Sequence, residues 1–206
     1  MCWLNVAAWR LFVNCYPLLM IEQIVSVDRV RVKASEIEAY TDFACDLADL
    51  AAAEILPYFR TTIAVENKLA EVVRDVEPDA APGAQQLAVE AFDPVTIADR
   101  DAEAAMRARI RSAFPSHGIL GEEHGLHVGE SGLTWVLDPI DGTRAFIAGL
   151  PLWGCLIALF DGSEPVLGVM DQPFLGERYI GTGRGCLLYT SPSPRDATLS
   201  RMPSSA

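Results

Sequence analysis

Ile37, Tyr40, Ala44, Leu47, Ala51 and Ile55 recur at spacings of three and four. They form one face of an amphipathic helix of roughly five to six turns, which Pro57 brings to an end. A second stripe of Ala102, Met106, Ile110 and Ala113 predicts a helix over 98–114. Asp99, Asp101 and Glu103 crowd its start and Arg107, Arg109 and Arg111 its end, both complementing the helix dipole. Thr96 with Asp99 has the spacing of a capping box. Short apolar runs predict strands over 61–66, 118–121, 134–138, 153–160 and 165–171, with a fifth candidate after the second helix at 178–182. Two helices followed by a run of strands indicate an α+β fold rather than strict β-α alternation.

The ends of the chain depart from this pattern. The apolar stretch 1–20 is interrupted by Asn5, Arg10, Asn14 and Pro17, and its positive charge falls mid-run rather than ahead of it, unlike a signal peptide. Residues 1–35 read as a leader, either poorly ordered or one extra helix. Residues 71–91 are acidic and contain Pro78, Pro82 and Gly83, which marks a surface insertion. Core periodicity stops at Gly185. Residues 186–206 (CLLYTSPSPRDATLSRMPSSA) are expected to be a disordered or artefactual tail behind a domain of 36–185.

The 206 residues are 50% hydrophobic and 21% charged, enough to build a core. A formal charge of −12 argues against nucleic acid as a partner. No apolar run reaches the roughly 18 residues of a membrane span, so no membrane partner is expected. Five cysteines at irregular spacing, without Cys-x-x-Cys, indicate neither a disulfide framework nor a zinc ribbon and fit a reducing, cytoplasmic setting.

Candidate chemistry lies between Asp93 and Thr143. Asp138-Pro139-Ile140-Asp141-Gly142-Thr143 directly follows a strand. Two carboxylates three residues apart, where a strand breaks into a turn, can converge. Pro139 restricts φ, and Gly142 admits a ligand close to the backbone. Oxygen donors without sulfur or imidazole suit Mg²⁺ or Mn²⁺. A helix starting at Gly142–Thr143 would turn its N–H groups toward an anion. Asp-Pro and Asp-Gly are also ordinary turn dipeptides. Glu122-Glu123 reads equally as a solvated strand end, and Asp99 as a helix cap. His124 and His127 form His-x-x-His, but Gly125 places them in a loop without a third ligand. Gly181, Gly183 and Gly185 read as a strand-end turn. Trp135 and Trp153 read as core, and Cys155 as buried and inert.

The segments FDPVTIAD, GILGEEHG and WVLDPIDGTRAF, in this order and spacing, resemble the inositol monophosphatase family of metal-dependent phosphatases. DPIDGTRAFIAGLPLWGCLIAL and PVLGVMDQPFLGERYIG look most like its bacterial histidinol-phosphatase branch. The resemblance covers about residues 36–185. It implies a layered α/β sandwich, with this chain supplying the N-terminal αβ half of an αβαβα arrangement.

The resemblance also implies roles. Glu122, Asp138, Asp141 and the Ile140 carbonyl would ligate two or three Mg²⁺ ions. Thr143, oriented with Asp99, would act with Glu122 on an attacking water. Gly142 and Thr143 would donate N–H groups to phosphate. Arg144 reads either as a substrate contact or as a surface charge. The implied reaction is hydrolysis of a small phosphorylated substrate, L-histidinol phosphate ahead of inositol phosphate or another sugar phosphate. A homodimer is implied too, without separate support from the residues. The Trp-Asp motif of the family's second half, which completes its metal site, does not occur in these residues. The chain by itself is therefore expected to be poorly soluble and weakly active or inactive, the alternative being a metal-binding module without catalysis.

Overall fold

The computed structural model describes residues 30–62, 65–67, 94–182 and 185–190. Helix α1 (Ala34–Ile55) runs into a 3-10 turn (Leu56–Tyr58). Then come β1 (Val65–Asn67), β2 (Pro94–Thr96), α2 (Ile97–Ala113), β3 (Gly118–Gly121) and β4 (Gly125–His127). The remainder is β5 (Thr134–Asp141), the short helix α3 (Thr143–Ile147), β6 (Gly154–Phe160), β7 (Pro165–Gln172), β8 (Glu177–Thr182) and β9 (Gly185–Thr190). Strands β3 to β9 form one sheet in the order β4-β3-β5-β6-β7-β8-β9. Only the β3–β5 pair is parallel among these. The expected α+β layering is what the chain forms.

Helices α1 and α2 pack on each other and on one face of the sheet, α1 over β6 and β7 and α2 over β5. Strand periodicity supplies the matching apolar surface. Ile119, Trp135, Leu159 and Leu167 stand in one cross-strand row, and Leu137, Ile157, Val169 and Ile180 in the next. All eight are buried in the core with Ala44, Leu47, Ala51 and Ile55 of α1 and Ala102, Met106 and Ile110 of α2. Leu120, Val136, Leu156 and Ala158, on the opposite face, are buried as well. Burial on both faces explains why β6 reads as a continuous apolar run rather than an alternation.

Several expectations need correction. Ala113 is exposed, and its place in the core is taken by Phe114, which turns in as the helix ends. Glu103 and Arg107, expected as charges that complement the helix dipole, are both buried. Of the strand expected at 61–66, residues 65 and 66 lie in β1, whereas Thr61 folds back on Tyr58 through both its amide (3.2 Å) and its hydroxyl (2.7 Å). Residues 30–35 belong to the domain rather than to a leader. The Val30 amide donates to the Asp161 carbonyl at 2.9 Å, and Val30 and Val32 pack on the core. Residues 186–190 are a strand, not tail: β9 pairs antiparallel with β8, whose edge groups offer a template for pairing. The expected insertion 71–91, the rest of the leader and residues 191–206 lie outside the described residues.

An aromatic group locks α1 and α2 to β5. His117 is stacked on Phe114 with centroids 4.7 Å apart, and its Nδ1 accepts a hydrogen bond from Trp135 Nε1 at 3.1 Å. That bond needs neutral imidazole, and burial pulls the His117 pKa below its ordinary value. The unfolded chain therefore binds a proton below about pH 6.5 that the folded chain refuses. This contribution is fully present above that pH and is lost as pH falls toward the folded value. His117→Gln, which cannot titrate, should be less stable than wild type at pH 7.5. The gap in denaturant midpoint should narrow by pH 5.5. A gap independent of pH would contradict the assignment.

Candidate active site

The C-terminal end of β5 is where the sheet becomes a site. In an uninterrupted strand, Asp138 and Asp141 would face opposite sides, because side chains alternate with period two. The register with β6 slips between them. Asp138 pairs with Leu156 and Asp141 with Gly154, so three steps on β5 match two on β6. The extra residue lies at Pro139–Ile140, where proline brings no N–H to the ladder. The bulge reverses the parity and turns both aspartates to one side. Ile140 is buried at the same point and anchors the bulge in the core. Gly142 then ends the strand with φ 90°, and a Cβ there would meet the Leu152 carbonyl oxygen at 2.7 Å. Its carbonyl accepts the amides of Ala145 and Phe146, which starts α3.

Glu122 reaches this corner from β3. Its amide donates to the Leu137 carbonyl at 3.3 Å, extending the β3–β5 pairing by one residue. Asp138 is buried, and its pKa is pushed well up by that burial and then by the charges of Glu122, Asp141 and Asp99, with a side-chain hydrogen bond to Glu122. Asp141, half-buried, is raised by burial and by Glu122. Four carboxylates predicted from separate segments are therefore electrostatic neighbours. The Oδ1 atom of Asp138 is buried without a hydrogen-bond partner.

The Thr143 hydroxyl donates to the Ile140 carbonyl at 3.0 Å, a local bond across the bulge, rather than to Asp99. Asp99 caps α2, with its Oδ2 accepting the Thr96 amide at 2.9 Å and the Thr96 hydroxyl at 2.5 Å. It meets the other carboxylates through its charge on Asp138. Among the described residues, no three His, Cys, Asp or Glu side chains stand ready to hold a metal. Glu122 and Asp138 are joined by a side-chain hydrogen bond. Arg144 is exposed on the first turn of α3. His124 and His127 do not form a metal pair, since His124 lies against Glu103 (Nδ1 to Oε1, 3.3 Å) and His127 is on β4. Trp135 and Trp153 are core, as expected.

The sequence reading missed Glu103. It is fully buried in α2, and its two oxygens accept the amides of Glu123 (2.6 Å) and His124 (3.1 Å) and Arg107 Nε (2.6 Å). Arg107 also donates through its Nη2 to the Gly125 carbonyl. A signal was present: an acid four residues ahead of a base, flanking the apolar stripe of α2. It was read as dipole complement instead.

A model of the inositol monophosphatase family matches residues 36–205. The chain belongs to the inositol monophosphatase family. Within it, the chain is 53% identical over 92 residues to the bifunctional phosphatase IMPL2 of Arabidopsis thaliana (44% of this chain, 27% of that protein). It is 47% identical over 100 residues to a histidinol-phosphatase of Chlorobaculum parvum (48% and 39%). An inositol monophosphatase structure from Zymomonas mobilis superposes with TM-score 0.55 at 34% identity, covering 78% of this chain and 53% of that one. The chain thus spans about half of that structure and 27% to 39% of these two curated relatives.

Family members are metal-dependent, and the corner fits a hard divalent cation. Its donors are all oxygen, one is buried and orphaned, and like charges crowd it. Metal-free protein carries the cost. Since the folded pKa of Asp138 is raised, no penalty exists below the ordinary carboxylate range, and stability falls as pH climbs through that range. Asp138→Asn should stabilise the metal-free protein at pH 7 by about 1–2 kcal/mol. The gain should vanish near pH 3, where the aspartate is protonated in both states. Urea melts at the two pH values check this, and destabilisation at pH 7 would contradict it.

Proposed function

We propose that the protein is a Mg²⁺-dependent phosphate monoesterase whose substrate is L-histidinol phosphate. The carrying observation is the buried, unpartnered Oδ1 of Asp138 among carboxylates gathered at the end of β5. Glu122, Asp138, Asp141 and the Ile140 carbonyl would hold the cation. That carbonyl already accepts from Thr143 but has a second lone pair. When bound, the cation supplies positive charge against the phosphate dianion and acidifies a water.

The chain's own groups do the rest. Glu122, half-buried beside Asp138, orients the water and receives its proton. Gly142, where a side chain is excluded, lets phosphate approach the backbone at the start of α3. Arg144 stands exposed next to that point, where it meets an anionic group of the substrate. Cys155, beside the corner, is not suited to act as a nucleophile. Cys155 is buried, and burial together with Asp171 and Asp138 pushes its thiol well up, holding it protonated.

The choice of alcohol leans on similarity. The histidinol-phosphatase of C. parvum is 47% identical over its matched segment, against 34% for the Z. mobilis inositol monophosphatase. The latter supports inositol phosphate as the second reading. Phosphate release should be assayed in parallel on L-histidinol phosphate and myo-inositol 1-phosphate. Weak turnover, abolished by EDTA and favouring histidinol phosphate about tenfold or more, is expected. Glu122→Gln should lower kcat by about 10²-fold or more. Faster turnover of inositol phosphate would overturn the substrate, and turnover indifferent to EDTA would overturn the metal mechanism.

A further inference from the structure

Glu122 has its amide on Leu137, and the turn after it closes the β3–β4 hairpin between the paired Gly121 and Gly125. That turn is held from below, by α2. Glu103 is a fully buried carboxylate, and both of its oxygens are spent on the two amides that follow Glu122. Arg107, also buried, braces the carboxylate through Nε and ties the far side of the turn by donating to the Gly125 carbonyl. Helix and turn meet this closely because residue 121 is glycine. A Cβ at Gly121 would lie 2.0 Å from Glu103 Oε1 and 2.3 Å from its Cδ. The costs are substantial: an ion pair is buried and a β-strand gives up a side chain. A pair of apolar residues would fill the same space with no desolvation penalty, but it would leave the amides of Glu123 and His124 without these acceptors.

We propose that Glu103 is a positioning residue which, braced by Arg107, fixes the 122–124 turn so that the Glu122 carboxylate stays against Asp138 and Asp141 for cation binding. This rests on the phosphatase reading above, and the effect runs through Glu122 rather than through contact with substrate or cation.

The test uses the 206-residue chain, Glu103→Gln and Glu103→Asp. Glutamine must turn an N–H toward a donor, whereas aspartate keeps the charge beside Arg107 and shortens the reach, so it serves if Glu103→Gln does not fold. In metal-free protein, hydrogen exchange at the Glu123 and His124 amides should accelerate tenfold or more while β5–β6 amides keep their protection. Calorimetric Mn²⁺ binding should weaken about tenfold or more, as for changes to groups that orient metal ligands. In a Glu122→Gln background, the same Glu103 change should weaken Mn²⁺ by less than twofold, because the group it positions is gone. A general structural role would weaken binding equally in both backgrounds. Unchanged exchange at 123 and 124 overturns the positioning proposal, as does acceleration without loss of Mn²⁺ affinity or an equal loss in both backgrounds. Wild type that binds no Mn²⁺ overturns the phosphatase reading itself and the proposal with it, a result distinct from the other three.

Discussion

Carboxylates repel, and burial makes the repulsion worse because water no longer screens it. The structure nevertheless brings Glu122, Asp138, Asp141 and Asp99 to one corner, with Asp138 buried and one of its oxygens left without a partner. That arrangement depends on a single backbone irregularity. Without the extra residue at Pro139–Ile140, the period-two geometry of β5 would send Asp138 and Asp141 to opposite faces of the sheet. Proline suits the bulge because it has no N–H to leave unpaired, and the buried Ile140 side chain holds it in the core.

The rest of the fold makes that irregularity affordable to a stable domain. The buried rows on β3, β5, β6 and β7 and the two helices over them fix the strand ends relative to one another. The parallel β3–β5 pairing places the end of β3 beside the end of β5, so Glu122 arrives next to Asp138. Helix α2 contributes twice: Asp99 at its cap adds charge to the corner, and Glu103 one turn later holds the turn beyond β3. A cation bound at this corner would relieve the repulsion that the folded chain otherwise sustains, which would couple metal binding to folding.

Most of this was legible in the chain, and for identifiable reasons. Helices α1 and α2 follow from apolar spacing, and β3 matched its expected bounds because two glycines frame a short apolar run. The acid string was visible as a motif, but its geometry was not: sequence spacing carries parity, whereas a bulge is a tertiary outcome of pairing with β6. Glu103 and Arg107 went unrecognised because a helix-surface ion pair and a buried brace have the same spacing, and only the approach of Gly121 separates them. Thr143 was assigned a long-range partner, yet a hydroxyl at the first helical position found the carbonyl three residues back. Strand β9 was obscured because the Ser- and Pro-rich sequence after it dominates the local composition.

The crowded carboxylates and the orphaned Asp138 oxygen at the end of β5 suit a bound cation. Thermal denaturation of the protein at pH 7 across a Mg²⁺ titration tests it most directly. Tm should rise with Mg²⁺ and saturate, and the rise should be lost when Asp141 is replaced by asparagine although the variant remains folded. A Tm indifferent to Mg²⁺, or an equal rise in Asp141→Asn, would contradict it.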